Sequence, residues 1–417
     1  FFGAPLAHEQ AVERAAECLL AVRQATPSIV WRAGVTFGTL WAGFRGGAER
    51  IEYGATGLVA NMASRLAQRA TWGEIWVDST VQARVASRCH CTALGPMVFK
   101  GRSTPQPVFA LQGRREPGSD EAHNRIGSEN ALIGRAAELA TLREWVEQRL
   151  VTAGVALFSL YGEAGMGKSR LVQELRRQLP AARPICWLTC PADAILRQSL
   201  QPFRIALRAY FAQRQDATAE MNRRAFDDIL AELLARLTNE GEGNVALRQE
   251  LTRTRSFLGA LLDLYWPDSL YATLEPELRF VNLLSAVTTL IHAEALLQPV
   301  VVYLEDSQWL DDDSQALLHE LLRRPTKGHL LVLATVRERD ATTEFLPQDP
   351  GIPQEWLHLT NLSVAAVQQH AAQVLGAPLT QDAAELLAGK SHGNPYFVEQ
   401  LALELQRQEV FQYDAAG

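Results

Sequence analysis

The chain has 417 residues, 47% of them hydrophobic and 21% charged, which is apolar enough for two or three cores and excludes a disordered chain. A formal net charge of −7 without a long basic run argues against nucleic acid as a dominant partner of this stretch, because duplex binders concentrate a basic face. The longest apolar runs, residues 299–304 and 330–336, fall far below the ~20 residues of a membrane span. No signal peptide is visible, and the five cysteines (Cys18, Cys89, Cys91, Cys186 and Cys190) lack paired C-x-x-C spacing, so the expected setting is the reducing cytoplasm. The start at Phe1-Phe2, without methionine, reads as the interior of a longer protein.

Residues 7–25 place Ala11, Ala15, Leu19 and Val22 at helical spacing among Glu, Arg and Gln, which predicts a helix packed on one face. Residues 29–44 alternate as strand around Gly34, Gly38 and Gly43. Gly46-Gly47 reads as a turn, and residues 51–53 resume the sheet. A helix from Gly57 through Ala70 carries Asn61 and Arg65 four apart, hence on one face. An amide and a guanidinium so placed form a grip for phosphate or ribose; the alternative is a solvated pair on an exposed helix. Cys89-His90-Cys91 sits on a strand whose successive residues point to opposite faces, which disfavours a metal cluster.

FFGAP, a helix, AGVTFGTLWAG, IEYGATGLVANMASRLAQRA, GEIWVDSTV and LGPMVFKGRSTPQPVFAL resemble, in order and spacing, the C-terminal two-thirds of a class III adenylate/guanylate cyclase catalytic domain, over essentially all of residues 1–112. The resemblance implies a ferredoxin-like α+β fragment in which Asn61 orients a ribose, Arg65 stabilises a pentavalent phosphate and Lys100 contacts the triphosphate. The family's two metal-binding aspartates would lie before Phe1, so the expectation is that these 417 residues make no cyclic nucleotide by themselves. Gly54 stands at the base-selecting position and Gly57-Leu58 replaces the usual G-D, which leaves base preference open.

Residues 113–130, GRREPGSDEAHNRIGSEN, are rich in Gly, Pro and charge and read as a linker. Ile133-Gly134-Arg135 then leads through Glu138-Leu139 into an amphipathic helix to Leu150. Next, residues 155–176 pass from an apolar strand through Gly162-Glu163-Ala164-Gly165-Met166-Gly167-Lys168-Ser169 into a helix, the phosphate-binding form G-x-x-x-x-G-K-[ST]. Gly162, Gly165 and Gly167 let backbone N–H groups turn toward a β-phosphate, Lys168 reaches the β- and γ-phosphates, and the Ser169 hydroxyl ligates Mg²⁺. A glycine turn that merely caps a helix is the alternative.

After a second strand at residues 184–190, residues 192–297 show helical periodicity at 200–212, 224–237, 246–265 and 277–297. Phe203, Tyr210, Phe211 and Trp266 read there as core. Residues 299–306, PVVVYLED, read as a buried parallel strand ending in Glu305 and Asp306 beside the phosphate loop, the form of a Walker B element. Helix capping, which accounts for the run Asp311 to Asp313 but not for two acids at a strand end, is the alternative. Residues 329–336 form another buried strand, ending near Thr335 and Arg337. Residues 357–404 alternate a short strand or turn with helices and contain Gly393-Asn394-Pro395.

Ile133 to Leu139 resembles the h-G-R-x-x-E-h entrance of AAA-type and signal-transduction (STAND) ATPases, whose backbone lies against adenine. In the same way LEDSQWLDDDS resembles their L-x-[DE]-D-x-x-W, Thr335-x-Arg337 their γ-phosphate sensor, and Gly393-Asn394-Pro395 their G-x-P over the nucleotide. The resemblance implies nucleotide contacts by Gly134, Arg135, Thr335 and Pro395, with Glu305, Asp306 and Arg337 acting in catalysis; one of the two acids would bind Mg²⁺ through water and the other polarise the attacking water. The whole order resembles the soluble adenylate cyclase arrangement. It implies a cyclase fragment at 1–112, a three-layer α/β ATPase core at 131–345 with a helical insertion about 192–297, and a helical lid at 346–417. The expected function is an ATP- and Mg²⁺-binding, slowly hydrolysing switch that regulates an attached cyclase, with a dimeric cyclase partner and an unidentified protein or small-molecule signal. Alternatives are a nucleotide-holding interaction scaffold or a transcription-regulator ATPase with a degenerate cyclase domain.

Overall fold

The computed structural model describes residues 11–38, 40–47, 50–86, 88–99, 104–114, 131–179, 184–193, 198–214, 217–239, 244–337, 351–408 and 410. Two compact units divide them, one of residues 1–134, 164–167 and 361–417, the other of residues 135–163 and 168–360.

The first unit begins with α1 (Ala11–Ala25), β1 (Ala33–Val35), β2 (Trp41–Gly47), β3 (Arg50–Thr56), α2 (Leu58–Arg69), β4 (Ile75–Asp78), α3 (Ser79–Val85), β5 (Cys89–Met97) and β6 (Gln106–Arg114). Four strands form a mixed sheet in the order β1-β4-β6-β5, with β1 parallel to β4 and the other pairs antiparallel. Alternation along β4 sorts its residues to two faces: Ile75 and Val77 meet Val12, Ala16 and Leu20 of α1 and Val81 and Val85 of α3, whereas Trp76 meets Met62 and Leu66 of α2. Helices therefore cover both faces of this sheet, while a ferredoxin-like layer is covered on one. β2 and β3 pair separately, and Gly46 and Gly47 lie opposite Ile51 and Arg50, so the strand continues through the glycine pair that spacing reads as a turn.

The second unit contains α4 (Ala136–Val151), β7 (Gly154–Gly162), α5 (Lys168–Gln178), β8 (Cys186–Pro191), α6 (Gln201–Tyr210), α7 (Ala219–Asn239), α8 (Val245–Leu261), α9 (Leu270–Thr273), α10 (Pro276–Leu297), β9 (Val300–Glu305), a 3₁₀ turn (Ser307–Trp309), α11 (Asp312–Arg323), β10 (His329–Arg337) and β11 (Gln354–His358). Its five strands are all parallel, in the order β11-β7-β10-β9-β8. Near-continuous apolar runs such as VVVYL suit strands buried on both faces. Leu157, Val300, Val302, Leu304, Val332 and Ala334 pack against the helices of the 192–297 segment through Phe203, Phe211, Phe226, Phe257 and Leu290. Phe158, on the other face of β7, packs at a tilt against Trp145 of α4, 5.1 Å between centroids. Emptying a buried site such as Phe226 would cost about 3–5 kcal/mol. α10 is long and apolar enough to cross a membrane by length and composition, but its residues 286–295 are all buried in this core.

The first unit closes with α12 (Val364–Leu375), α13 (Gln381–Ser391) and α14 (Pro395–Arg407), whose shared core is Leu362, Val367, Ala371, Leu387, Val398 and Ala402. Ser363 and Thr380 cap the first two helices, and Gly376 ends α12 in the left-handed region that favours glycine.

Candidate nucleotide site

β7 delivers the chain into the glycine loop at Gly162, and α5 starts at Lys168, so the loop's N–H groups and the helix's positive end share one place. The Lys168 ammonium is buried and donates to the carbonyls of Gly162 at 2.9 Å and Glu163 at 2.8 Å. Ser169 follows in the first turn of α5. Gly165 and Gly167 have φ of +86° and +83°, a conformation L side chains rarely adopt.

Residues 164–167 belong to the first unit, where Asn394 holds them. Its Nδ2 donates to the Ala164 carbonyl at 2.8 Å, while its Oδ1 caps α14 by accepting from Tyr396 N–H at 3.1 Å. Tyr396 N–H also points to Gly165 O at 3.2 Å, and a Cβ on Gly165 would stand 2.5 Å from Asn394 Oδ1. Pro395 occupies the first turn of α14, and its carbonyl faces His370 Nε2 at 3.2 Å; burial holds that imidazole below its usual pKa.

In the second unit, Glu305 ends β9 and Asp306 turns into the left-handed region at φ 54°. β10 lies between β7 and β9, so Thr335 and Arg337 stand at the strand end between the loop strand and the strand that carries the two acids. Thr335 Oγ1 accepts the Asp306 N–H at 3.0 Å, and Ser307 Oγ donates to Thr335 O at 3.0 Å. Thr335 thus fixes the acidic turn, a role that the T-x-R spacing does not announce. Arg337 Nη2 lies 3.5 Å from Asp306 Oδ2. Gln308, which fills an unspecified position of the L-x-[DE]-D-x-x-W stretch, accepts the Arg337 N–H at 3.0 Å and donates to Asp306 Oδ1 at 3.3 Å. A polar residue two positions after an acid at a strand end is the one sequence sign of such a local bond.

Burial, with the Glu305 charge adding to it, pushes the Tyr303 hydroxyl well above its usual range, so it stays protonated. Ser169 and Thr335 are beside it, yet it reaches no partner at hydrogen-bonding geometry. Ser169, Glu305 and Asp306 are hard oxygen donors of the type Mg²⁺ takes, and the orphaned Tyr303 hydroxyl next to Ser169 suits a hydrated ion; the residues present fit it. Among the described residues no three His, Cys, Asp or Glu side chains gather as a metal cluster, which a Mg²⁺ completed by phosphates does not require.

Arg135 is buried and spends its guanidinium on Glu138 at 2.9 Å and the Thr360 carbonyl at 2.7 Å, tying the start of α4 to the segment after β11. Gly134 precedes it at φ 68°. Asn61 is exposed and Arg65 half-buried on α2, one position ahead of the buried Met62 and Leu66. Lys100 lies outside the described residues, as do the linker residues 115–130. Cys89 is buried and His90 exposed, as strand alternation requires.

A relative in Rhizobium meliloti, an uncharacterized protein, is 25% identical over 366 residues, covering 83% of this chain and 32% of that protein. The chain therefore spans about a third of the length of this curated relative. The guanylate cyclase domain of RhGC from Catenaria anguillulae, solved with GTP, covers 27% of this chain and 66% of its own at 20% identity and a TM-score of 0.26. The Aeropyrum pernix ORC1 protein, solved with DNA, covers 67% of this chain and 62% of its own at 14% identity and a TM-score of 0.40. Structural likenesses at these scores carry no weight for fold or function. Residues 131–333, which hold the glycine loop, both carboxylates and most of β10, match the AAA ATPase domain family.

Proposed function

We propose that this chain is an ATP-binding switch of signal transduction, in which a P-loop ATPase module regulates an attached class III cyclase domain. The observation that carries the ATPase reading is the junction of Asp306 with Thr335 and Arg337 at the ends of two strands in the parallel sheet whose strand β7 leads into the glycine loop ahead of Lys168 and Ser169. Lys168 would exchange its loop carbonyls for β- and γ-phosphate oxygens. Ser169 with Glu305 or Asp306 would hold Mg²⁺, which when bound neutralises charge developing on the phosphates. The other carboxylate would orient the attacking water, and Arg337 would report the γ-phosphate. Gly134 and Arg135 would frame the adenine side through the fixed entrance of α4. Asn394 and Pro395 would respond through Ala164 and Gly165, so that nucleotide binding biases the start of α14.

The finer reading rests on the sequence of residues 1–112. Asn61, Arg65 and Lys100 would serve ribose and phosphate in the intact parent, with a second cyclase domain as partner and an unidentified signal as input. Hydrolysis need only be slow, since a switch requires a few kcal/mol between states. Single-turnover hydrolysis and Mg-ATP affinity in Glu305→Gln and Asp306→Asn test the ATPase core. At least one variant should lose about 100-fold or more in rate with affinity nearly intact. Wild-type rates in both would leave a scaffold that only holds nucleotide.

A further inference from the structure

We propose that Gln308 is a positioning residue for the hydrolytic step, holding the Asp306 carboxylate and tying it to the end of β10; the inference rests on the ATPase reading above. β9 ends at Glu305, Asp306 takes a left-handed conformation, and Trp309 N–H closes the 3₁₀ turn on the Asp306 carbonyl at 2.9 Å. That reversal brings Gln308 back over the carboxylate two residues before it. The Gln308 amide has only one orientation that satisfies both neighbours. Arg337 N–H donates at 3.0 Å, so the oxygen must face residue 337, and the NH₂ group is left to donate to Asp306 Oδ1 at 3.3 Å.

The other carboxylate oxygen, Oδ2, takes the Arg337 guanidinium at 3.5 Å. Both oxygens are thus connected to residue 337, one through its side chain and one through its backbone by way of Gln308. The two connections differ in what a γ-phosphate can do to them. A guanidinium that turns toward phosphate leaves Oδ2, whereas a backbone amide in a strand paired with β7 through residue 337 stays in place. Gln308 then keeps the carboxylate aimed when Arg337 is engaged elsewhere. The side-chain type follows from this: the position needs an acceptor and a donor on one planar group, which glutamine provides and the isosteric glutamate does not.

The experiment compares wild type, Gln308→Ala and Gln308→Glu by single-turnover ATP hydrolysis, Mg-ATP titration and hydrogen exchange of the β10 peptide. Gln308→Glu keeps the acceptor for Arg337 N–H but sets a carboxylate against Asp306. It should retain slow exchange at Arg337 and lose about 100-fold in hydrolysis rate. Gln308→Ala should lose about 10-fold in rate and also exchange faster at Arg337, with Mg-ATP affinity in both variants within about threefold of wild type. A wild-type rate in Gln308→Glu, or affinity falling in step with rate, overturns the assignment while leaving the ATPase reading intact. A wild-type chain that never turns ATP over sinks that reading, and this inference with it.

Discussion

Replacing Thr335 by valine removes one oxygen atom and little else, and isolates what holds the acidic turn. Thr335 is 1% exposed, and its Oγ1 is the acceptor for Asp306 N–H at 3.0 Å. Valine keeps the volume and strands that donor. An unpaired buried N–H costs about 1–3 kcal/mol, and the left-handed backbone of Asp306 adds about 1 kcal/mol of strain that the bond no longer opposes. Local opening of the turn should therefore become about 5- to 150-fold more frequent. Hydrogen exchange followed by mass spectrometry on a peptide spanning residues 300–310 reads this directly, with Thr335→Ser, which keeps the hydroxyl, expected near wild type. Equal protection in Thr335→Val and wild type would show that Asp306 is held by something other than this bond.

Asn394→Asp keeps the cap on α14 but replaces the donor to Ala164 O by an acceptor, so Mg-ATP affinity should fall about 10-fold while helix content is unchanged; Asn394→Ala should in addition lose about 1 kcal/mol of stability. Calorimetric titration with far-UV circular dichroism separates the two effects, and identical affinities would release the glycine loop from Asn394. His292 is 5% exposed in α10 and burial lowers its pKa to about 4, so the folded state keeps it neutral while the unfolded chain protonates near 6.5. Between those values the unfolded state binds more protons, so stability should be fully present above about pH 6.5 and fall by up to about 3 kcal/mol as pH drops toward 4. His292→Gln should flatten that part of the profile of urea midpoint against pH, and an unchanged slope would assign the loss to other groups.

The glycine loop and the acids at the end of β9 are legible in the sequence because each is contiguous: eight residues carry the loop between strand and helix, and a buried strand ends in two carboxylates. The helices at 200–212 and 277–297 are legible for a similar local reason, since 3.6-residue periodicity survives burial against a sheet. Strand order is not local. Nothing near residue 160 or 305 announces that β10 runs between their strands, nor that the Thr335 hydroxyl accepts a backbone N–H 29 residues away. Asn394 is hidden for the same reason, because its partner Ala164 is 230 residues distant. The Thr360 carbonyl that takes the Arg135 guanidinium likewise lies beyond any motif's reach, 225 residues away. The two-faced covering of the first sheet follows from α2, whose apolar stripe of Met62, Leu66 and Ala70 predicts a buried face but not which side of the strands it meets.

Titration of Mg-ATP into the wild-type chain and Lys168→Ala by calorimetry tests the central claim most directly. The account predicts saturable binding to one site in the wild type and a loss of about 100-fold or more in the variant, because the buried ammonium is the charge that meets the β- and γ-phosphates. Equal affinity in the two proteins would contradict it.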